Sequence, residues 1–128
     1  MRVAMDAVDV KMQIPGAVIR QRLNFGDASG FGTFSGECFT LAAGVDTTPL
    51  FQGLEGDLCQ CPHWGFVVRG QLTTTDAAGL RETVSGHDLF YWPPGHNVKV
   101  DVDAQIIMFS PQDEHSSVIN HMIEKTKG

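Results

Sequence analysis

The sequence predicts an all-β protein in which a small barrel or jelly roll is followed by one C-terminal helix. Fourteen glycines and six prolines punctuate the 128 residues, and short runs rich in Val, Ile, Phe and Thr lie between them, as in strands joined by tight turns. A barrel or jelly roll shields its sheet edges, and the Cys…Trp…Cys pattern of antibody-like sandwiches is missing. We therefore prefer the barrel to an immunoglobulin-type sandwich.

The strands follow one another between recognisable turns. "TDAAGL" and "DVDAQ" are typical of hairpin loops, "SGHD" of a tight turn and "WPPGHN" of a rigid corner. The predicted strands are 17–23, 33–42, 59–69, 71–75, 80–84, 88–91, 98–102 and 105–109.

The tail predicts a helix. Ser110 offers an N-cap hydroxyl, Pro111 suits the first helical position and Asp113 is an acid three residues after the cap. Apolar residues then recur at helical spacing, which predicts a stripe packed on the barrel or on a second subunit: Val118, Ile119, Met122 and Ile123.

Length and charge limit the classes of function. The length fits a single domain, 1–128. The net charge of −6 and the absence of a long Lys/Arg cluster disfavour nucleic acid and anionic membranes as partners. No uninterrupted apolar run resembles a signal peptide or a membrane span, so we expect a cytoplasmic protein. No Gly-rich phosphate loop leads from a strand into a helix, which argues against a nucleotide cofactor.

The segment "DLCQCPHWGFVVRG" places Cys59, Cys61 and His63 at alternate positions. On an extended strand these three side chains share one face. Three cysteines, including Cys38, cannot complete a disulfide framework, so we expect free thiols.

A second histidine is oriented by its neighbours. Val98, Val100 and Val102 alternate with charged residues, so the valine face is the buried one. His96 has the same parity and is expected to project inward at the mouth of the barrel.

Two segments, "CPHWGFVVRGQL" and "SGHDLFYWPPGH", resemble the two motifs of the cupin superfamily (RmlC-like). The resemblance covers roughly Asp57 to Pro111 and extends to small single-domain bacterial cupins carrying "CQCPHWG" and "PPGH". It implies a cupin-like double-stranded β-helix (jelly-roll) barrel, a pocket at one end and a homodimer. Counted against the motifs, His63 falls at the usual glutamate, Cys59 at or near the second histidine and Asp57 nearest the first. Val98 falls at the last histidine.

These residues predict a divalent transition-metal site, because imidazole and thiolate suit Zn, Fe, Cu or Ni better than Mg or Ca. The candidate ligands are Cys59, Cys61, His63 and His96, and the candidate pocket residues are Val67, Tyr91 and Val98. With one cysteine bound, a position stays open for water or substrate, whereas with both bound the metal is structural. The alternative interpretation is that the cysteines are small core residues and the histidines are hydrogen-bonded pocket residues.

Three functions follow from this site. The first is a metal-dependent oxygenase, isomerase or lyase acting on a small polar metabolite, and the second is a non-catalytic small-molecule or metal-binding cupin used for sensing or storage. The third is an oligomerisation unit. We expect no shared ligand role for His115 and His121, an exposed turn position for His87 and a core thiol at Cys38. Glu37 could line the mouth of the barrel as an acid or base, but a solvated face is the more common explanation.

Overall fold

Eight antiparallel strands and a C-terminal helix make up most of the computed structural model, which describes residues 1–28 and 30–127. This confirms the predicted fold class. The strands are β1 (Val10–Ile14), β2 (Ala17–Arg22), β3 (Asp27–Ala28), β4 (Gly32–Leu41), β5 (His63–Asp76), β6 (Arg81–Ser85), β7 (Leu89–Trp92) and β8 (His96–Pro111). The helices are α1 (Thr48–Phe51) and α2 (Gln112–Thr126), and 3₁₀ turns lie at Met5–Ala7 and Glu55–Asp57.

Two long strands connect the halves of the barrel. The strand order is β1-β2-β4-β8-β5-β6, with β3 paired to β4 and β7 paired to β5. The first residues of β5 pair with β7 and its last residues pair with β6. On its other side β5 pairs with β8 along nearly its whole length, and the C-terminal half of β8 also pairs with β4. Register shifts between Val67 and Leu72 bend β5 where the pairing changes.

The continuity of these two strands corrects two predicted breaks. We expected β5 to end before Gly70 and "DVDAQ" to be a hairpin, but 63–76 and 96–111 each form one strand. Gly70 has a φ of +91°, and a Cβ placed there would lie 2.2 Å from the Asp103 carbonyl oxygen. Gly70 therefore marks a close crossing of two strands rather than a turn between them.

The inward face of β8 is partly as predicted. His96, Val98 and Val100 are buried, whereas Val102 is 51% exposed. Gln71 lies opposite Val102 and Leu72 lies opposite Val100, so the register shifts by one residue at this point. Val102 therefore lies at the bend, outside the buried face. The unpredicted elements β1, β3 and α1 have five residues or fewer.

The apolar stripe on α2 packs into the core as predicted, with Val118, Ile119 and Met122 buried and Ile123 partly buried. The predicted cap is wrong, because Pro111 occupies the N-cap position and no side chain caps the helix. The Ser110 hydroxyl instead donates to the Glu37 carboxylate at 2.7 Å. Within the described ranges, neither helix is long and apolar enough to cross a membrane.

Gly70→Ala should destabilise the protein strongly, because the new Cβ meets the backbone of β8 in a left-handed conformation. We expect a loss of roughly 2–5 kcal/mol in the free energy of unfolding, measured by urea denaturation. Gly79→Ala is the matched control, since Gly79 has a φ of +84° and open space around it. It should lose only about 1–2 kcal/mol, and equal losses in the two variants would contradict the close crossing.

Candidate functional site

An internal cavity lies between the barrel wall and the two helices. Its volume is about 60 Å³ for the centres of water-sized molecules, where about 10–15 Å³ suffices for one water. Most of its lining is apolar, from strands β1, β2, β4 and β8 and both helices. Its polar lining consists largely of Cys59, His63, Trp92, His96 and His115.

Strand pairing brings the predicted ligands to this cavity. Cys59 and His96 lie opposite each other, joined by two backbone hydrogen bonds of 2.9 and 3.2 Å. His63 begins β5 opposite Trp92, the last residue of β7. The Cys59 Sγ lies 3.6 Å from His63 Nε2. One ligand atom from each of Cys59, His63 and His96 lies within 4.8 Å of the others, and all three residues are buried.

Cys61 does not join this group, although it is as buried as Cys59. Its thiol lies 3.4 Å from the Pro62 carbonyl oxygen and 3.9 Å from that of Pro111. The chain bends at Cys61, and β5 starts only at His63. The alternation expected of a strand therefore does not apply, and the structure brings together three of the four predicted ligands.

The hydrogen bonds define the tautomers of the two histidines. His63 Nδ1 lies 2.6 Å from Ser110 Oγ, whose hydroxyl donates to Glu37. The Ser110 oxygen must therefore accept from His63, and the His63 Nε2 retains its lone pair. His96 Nδ1 lies 2.7 Å from the Pro93 carbonyl oxygen, which can only accept. His96 Nε2 therefore also retains a lone pair.

His115 is a functional candidate that the sequence did not indicate, and Glu37 is one for which a solvated face was preferred over a place at the barrel mouth. The Glu37 carboxylate is buried, and its Oε2 lies 2.5 Å from His115 Nδ1. The same oxygen accepts from Ser35 Oγ at 2.8 Å and from Gln21 Nε2 at 3.4 Å. The expected solvated face for Glu37 is wrong.

Strand parity contained a signal for Glu37. Phe39 and Leu41 are apolar and buried, and Glu37 lies on the same face of β4. His115, Glu37 and His63 also have one ligand atom each within 4.8 Å of the others. The His63 ring is 4.3 Å from that of His115 and 5.2 Å from that of His96, between ring centroids. His63 is thus the central group of the polar lining.

The predicted pocket residues have different positions. Val98 lines the cavity, and Val67 is fully buried in the core without lining it. Tyr91 does not line the cavity, because β7 alternates and directs Phe90 and Trp92 inward. Tyr91 is 48% exposed and stacks on Trp64 outside the barrel.

The other histidines and the third cysteine lie outside the cavity lining. His87 is exposed in its turn, and His121 Nε2 donates to the Gln52 carbonyl oxygen at 2.7 Å. Cys38 is a buried free thiol, as expected. Trp92 was not a candidate, yet it lines the cavity and is 3% exposed. Its Nε1–H is the one buried side-chain nitrogen or oxygen group without a hydrogen-bond partner across 1–28 and 30–127.

Burial sets the protonation of these groups. Burial raises the pKa of the Cys59 thiol to about 12 and also raises that of Cys61. Burial, together with His115 and His96 nearby, holds the pKa of His63 well below its usual range. Burial also lowers the pKa of His96, against the opposing effect of the bond to the Pro93 carbonyl. At neutral pH the imidazoles are neutral and able to act as ligands, and a thiolate forms only where a cation compensates its charge.

The metal-free protein should lose stability as the pH falls below about 6.5, the ordinary histidine pKa. Both histidines have lower pKa values in the folded protein, so the unfolded chain binds more protons below that pH and the free energy of unfolding decreases. Each histidine contributes at most about 1.4 kcal/mol per pH unit. Urea denaturation between about pH 7.5 and 5.5 measures this slope.

His63→Asn should make that slope shallower, since one titrating group is removed. His87→Asn is the control, because His87 is exposed and its φ of +76° suits asparagine. Identical slopes in wild type and His63→Asn would contradict the burial effect on His63.

Comparisons with known proteins identify the fold. No protein-family model and no curated protein matches the sequence. The structure is similar to that of ectoine synthase from P. lautus, with a TM-score of 0.60, 12% identity and coverage of 87% of this chain and 77% of that chain. It is also similar to the polyketide cyclase RemF from Streptomyces resistomycificus, with a TM-score of 0.58, 17% identity and coverage of 87% and 78%.

A third similar structure is an RmlC-like cupin from Shewanella frigidimarina, with a TM-score of 0.58 and 14% identity. The alignment covers 89% of this chain and 93% of that one. At these identities the likeness shows the fold alone. Its strand arrangement, its C-terminal helix and these neighbours show that the chain has the cupin fold, as the two motifs predicted.

Proposed function

We propose that this protein is a small metal-dependent cupin enzyme in which Cys59, His63 and His96 hold a divalent transition metal beside the cavity. One observation carries the proposal. Both histidines keep an Nε2 lone pair that a metal can use, and a hydrogen bond from each Nδ1 holds its tautomer. Metal-binding histidines are typically oriented in this way by an acceptor on the other ring nitrogen.

The donor set fits a transition metal. Two imidazole nitrogens and one thiolate favour Zn²⁺, or Fe, Cu or Ni ions, over Mg²⁺ or Ca²⁺. Three protein ligands leave a coordination position open, which is typical of catalytic zinc sites, and Cys61 is not positioned to close it. A metal bound there supplies a Lewis acid or an activated water.

Ser110 and Glu37 act as positioning residues in this proposal. The chain of hydrogen bonds from His63 through the Ser110 hydroxyl to Glu37 spans 2.6 and 2.7 Å. A carboxylate behind a metal-binding imidazole raises its basicity and restricts its rotation. Glu37 supports His63 in this way and holds His115 at the same cavity.

Several neighbours with this fold are enzymes by name. They include an oxalate decarboxylase from Lactobacillus farciminis, of whose chain 32% is covered, and a sugar phosphate isomerase from Silicibacter pomeroyi. A fold shared among different reactions does not select one of them. Our proposal is therefore a reaction of the oxygenase, isomerase or lyase type on a small molecule that fits the cavity.

Binding without turnover is the second candidate function. The small, largely apolar cavity and the burial of His63 favour it, because a small buried pocket retains a ligand better than it exchanges one. Two results would support this alternative, a protein for sensing or storage. One is a bound metal with no open coordination position, and the other is ligand binding that requires no metal.

Protein purified without an affinity tag or chelator should contain close to one equivalent of transition metal by elemental analysis. His63→Ala combined with His96→Ala should lose it, because two of three ligands are removed. Adding Zn²⁺ at about 100 times its dissociation constant to protein stripped of metal should stabilise the wild type by about 2.7 kcal/mol and leave the double variant unchanged.

The matched control combines His87→Asn with His121→Asn, which removes two histidines outside the cavity. It should keep the metal. Equal metal content in both double variants would rule out the proposed site, and Co²⁺ spectra indicating four protein ligands would contradict an open position.

We also propose that the protein is a homodimer, as the cupin resemblance implies, through an aromatic patch on its outer face. The patch consists of Trp64, Tyr91 and Phe109, which are 44%, 48% and 42% exposed. Trp64 lies opposite Tyr91 on β7 and opposite Phe109 on β8, so the three side chains form a row across adjacent strands. Exposed apolar patches of this kind mark interaction surfaces.

Trp64→Arg should shift the protein from dimer to monomer in sedimentation or light-scattering measurements, because a charge replaces the central ring of the patch. Leu80→Arg is the control, since Leu80 is 71% exposed but lies between β5 and β6, away from the aromatic patch. A monomeric wild type, or no difference between the two variants, would contradict this interface.

The proposed site also indicates a cellular compartment for the protein. Cys59 can bind a metal only as a thiolate outside any disulfide, and all three cysteines are free of disulfides in the structure. We therefore propose the reducing cytoplasm as the location, which cell fractionation tests.

A further inference from the structure

We propose that the cavity takes an uncharged, mainly apolar molecule bearing one oxygen acceptor, such as a small ketone, and that Trp92 Nε1–H donates a hydrogen bond to that oxygen. This inference rests on the proposed function, because it names the ligand class of the same cavity. It departs from the polar metabolite that the sequence suggested.

The unpartnered indole is the first support. Trp92 lines the cavity at 3% exposure, and its Nε1–H has no partner in the described part of the chain. Buried donors are almost always paired with protein groups or with a bound water or ligand. The tight packing of the Trp92 ring on Phe90, with centroids 4.2 Å apart, holds the donor in place. A ligand oxygen in the cavity gives this donor its partner.

The walls exclude charge. The described lining contains no Asp, Glu, Lys or Arg, and most of it is Ala, Val, Ile, Leu, Phe and Met. In the metal-free protein a charged ligand would lose its hydration, and no Asp, Glu, Lys or Arg of the described ranges lines the cavity to compensate for that loss. An uncharged molecule does not meet this penalty.

The cavity volume limits the size of the ligand. About 60 Å³, compared with about 10–15 Å³ for one water, corresponds to a ligand of roughly five non-hydrogen atoms. Butanone, 2-methyl-1-butene and propionate have this size and nearly the same shape. Butanone carries an oxygen acceptor, 2-methyl-1-butene carries no acceptor, and propionate carries a negative charge.

The two tryptophans make the test specific, because their indole N–H signals can be followed separately by NMR of ¹⁵N-labelled protein. Butanone should shift the Trp92 Nε1–H signal. The Trp64 Nε1–H signal should stay unchanged, because Trp64 lies on the outer face. In protein stripped of metal, 2-methyl-1-butene should bind roughly 3- to 10-fold more weakly than butanone, the range for one neutral hydrogen bond. Propionate should bind more weakly still.

Trp92→Phe keeps an aromatic ring and removes the donor. Butanone affinity should then fall roughly 3- to 10-fold, while 2-methyl-1-butene affinity stays the same. Trp64→Phe is the matched control and should change neither. If Trp92→Phe fails to fold by circular dichroism, the three probes on the wild type decide the question.

The ligand class is overturned if butanone and 2-methyl-1-butene bind equally, if propionate binds best to stripped protein, or if butanone leaves the Trp92 signal unchanged. The same titration on protein with and without Zn²⁺ separates this inference from the metal proposal. If butanone binds at Trp92 in a protein that takes up no metal, the ligand class is supported and the proposed metal site is overturned. Metal uptake without butanone binding does the reverse.

Discussion

The arrangement of the cavity depends on one buried carboxylate. Glu37 on β4 accepts hydrogen bonds from Gln21 on β2, Ser110 on β8 and His115 on α2, as well as from Ser35 on its own strand. A buried carboxylate is costly unless its lone pairs are satisfied. The four elements must therefore be in place together. The orientation of His63 and the position of α2 follow from this requirement, so the polar wall of the cavity forms as a unit.

Strand parity explains how much of the site could be predicted. It correctly indicated that His96 and Val98 face inward, because β8 is regular there. It failed for Cys61, where the chain bends before β5 begins. The motifs predicted the cupin fold, but the partnership of Glu37 with Ser110 and His115 joins residues 73 and 78 positions apart. Local patterns carry no information about which strand or helix lies opposite, so this network could be seen only in the fold.

Groups of opposite hydrogen-bonding character line the same cavity. His63 and His96 each retain a lone pair, whereas the indole of Trp92 carries an N–H that has no partner among the described residues. His63 lies opposite Trp92 in the β5–β7 pairing, so strand register alone keeps acceptor and donor close together. A metal on the imidazoles and an oxygen-bearing molecule on the indole are therefore compatible occupants of the same cavity. The apolar remainder strengthens both interactions, because it excludes competing water.

The central position of β8 also constrains how a nascent chain acquires this structure. β8 pairs with β4, more than 60 positions earlier, and with β5, and it carries Ser110 to Glu37. Until 96–111 has left the ribosome, β4 and β5 each lack the partner that joins them, and their open edges are exposed to other chains. Barrel closure must then follow synthesis of this strand. Pairing over such long separations makes folding slow compared with that of helical proteins of equal size.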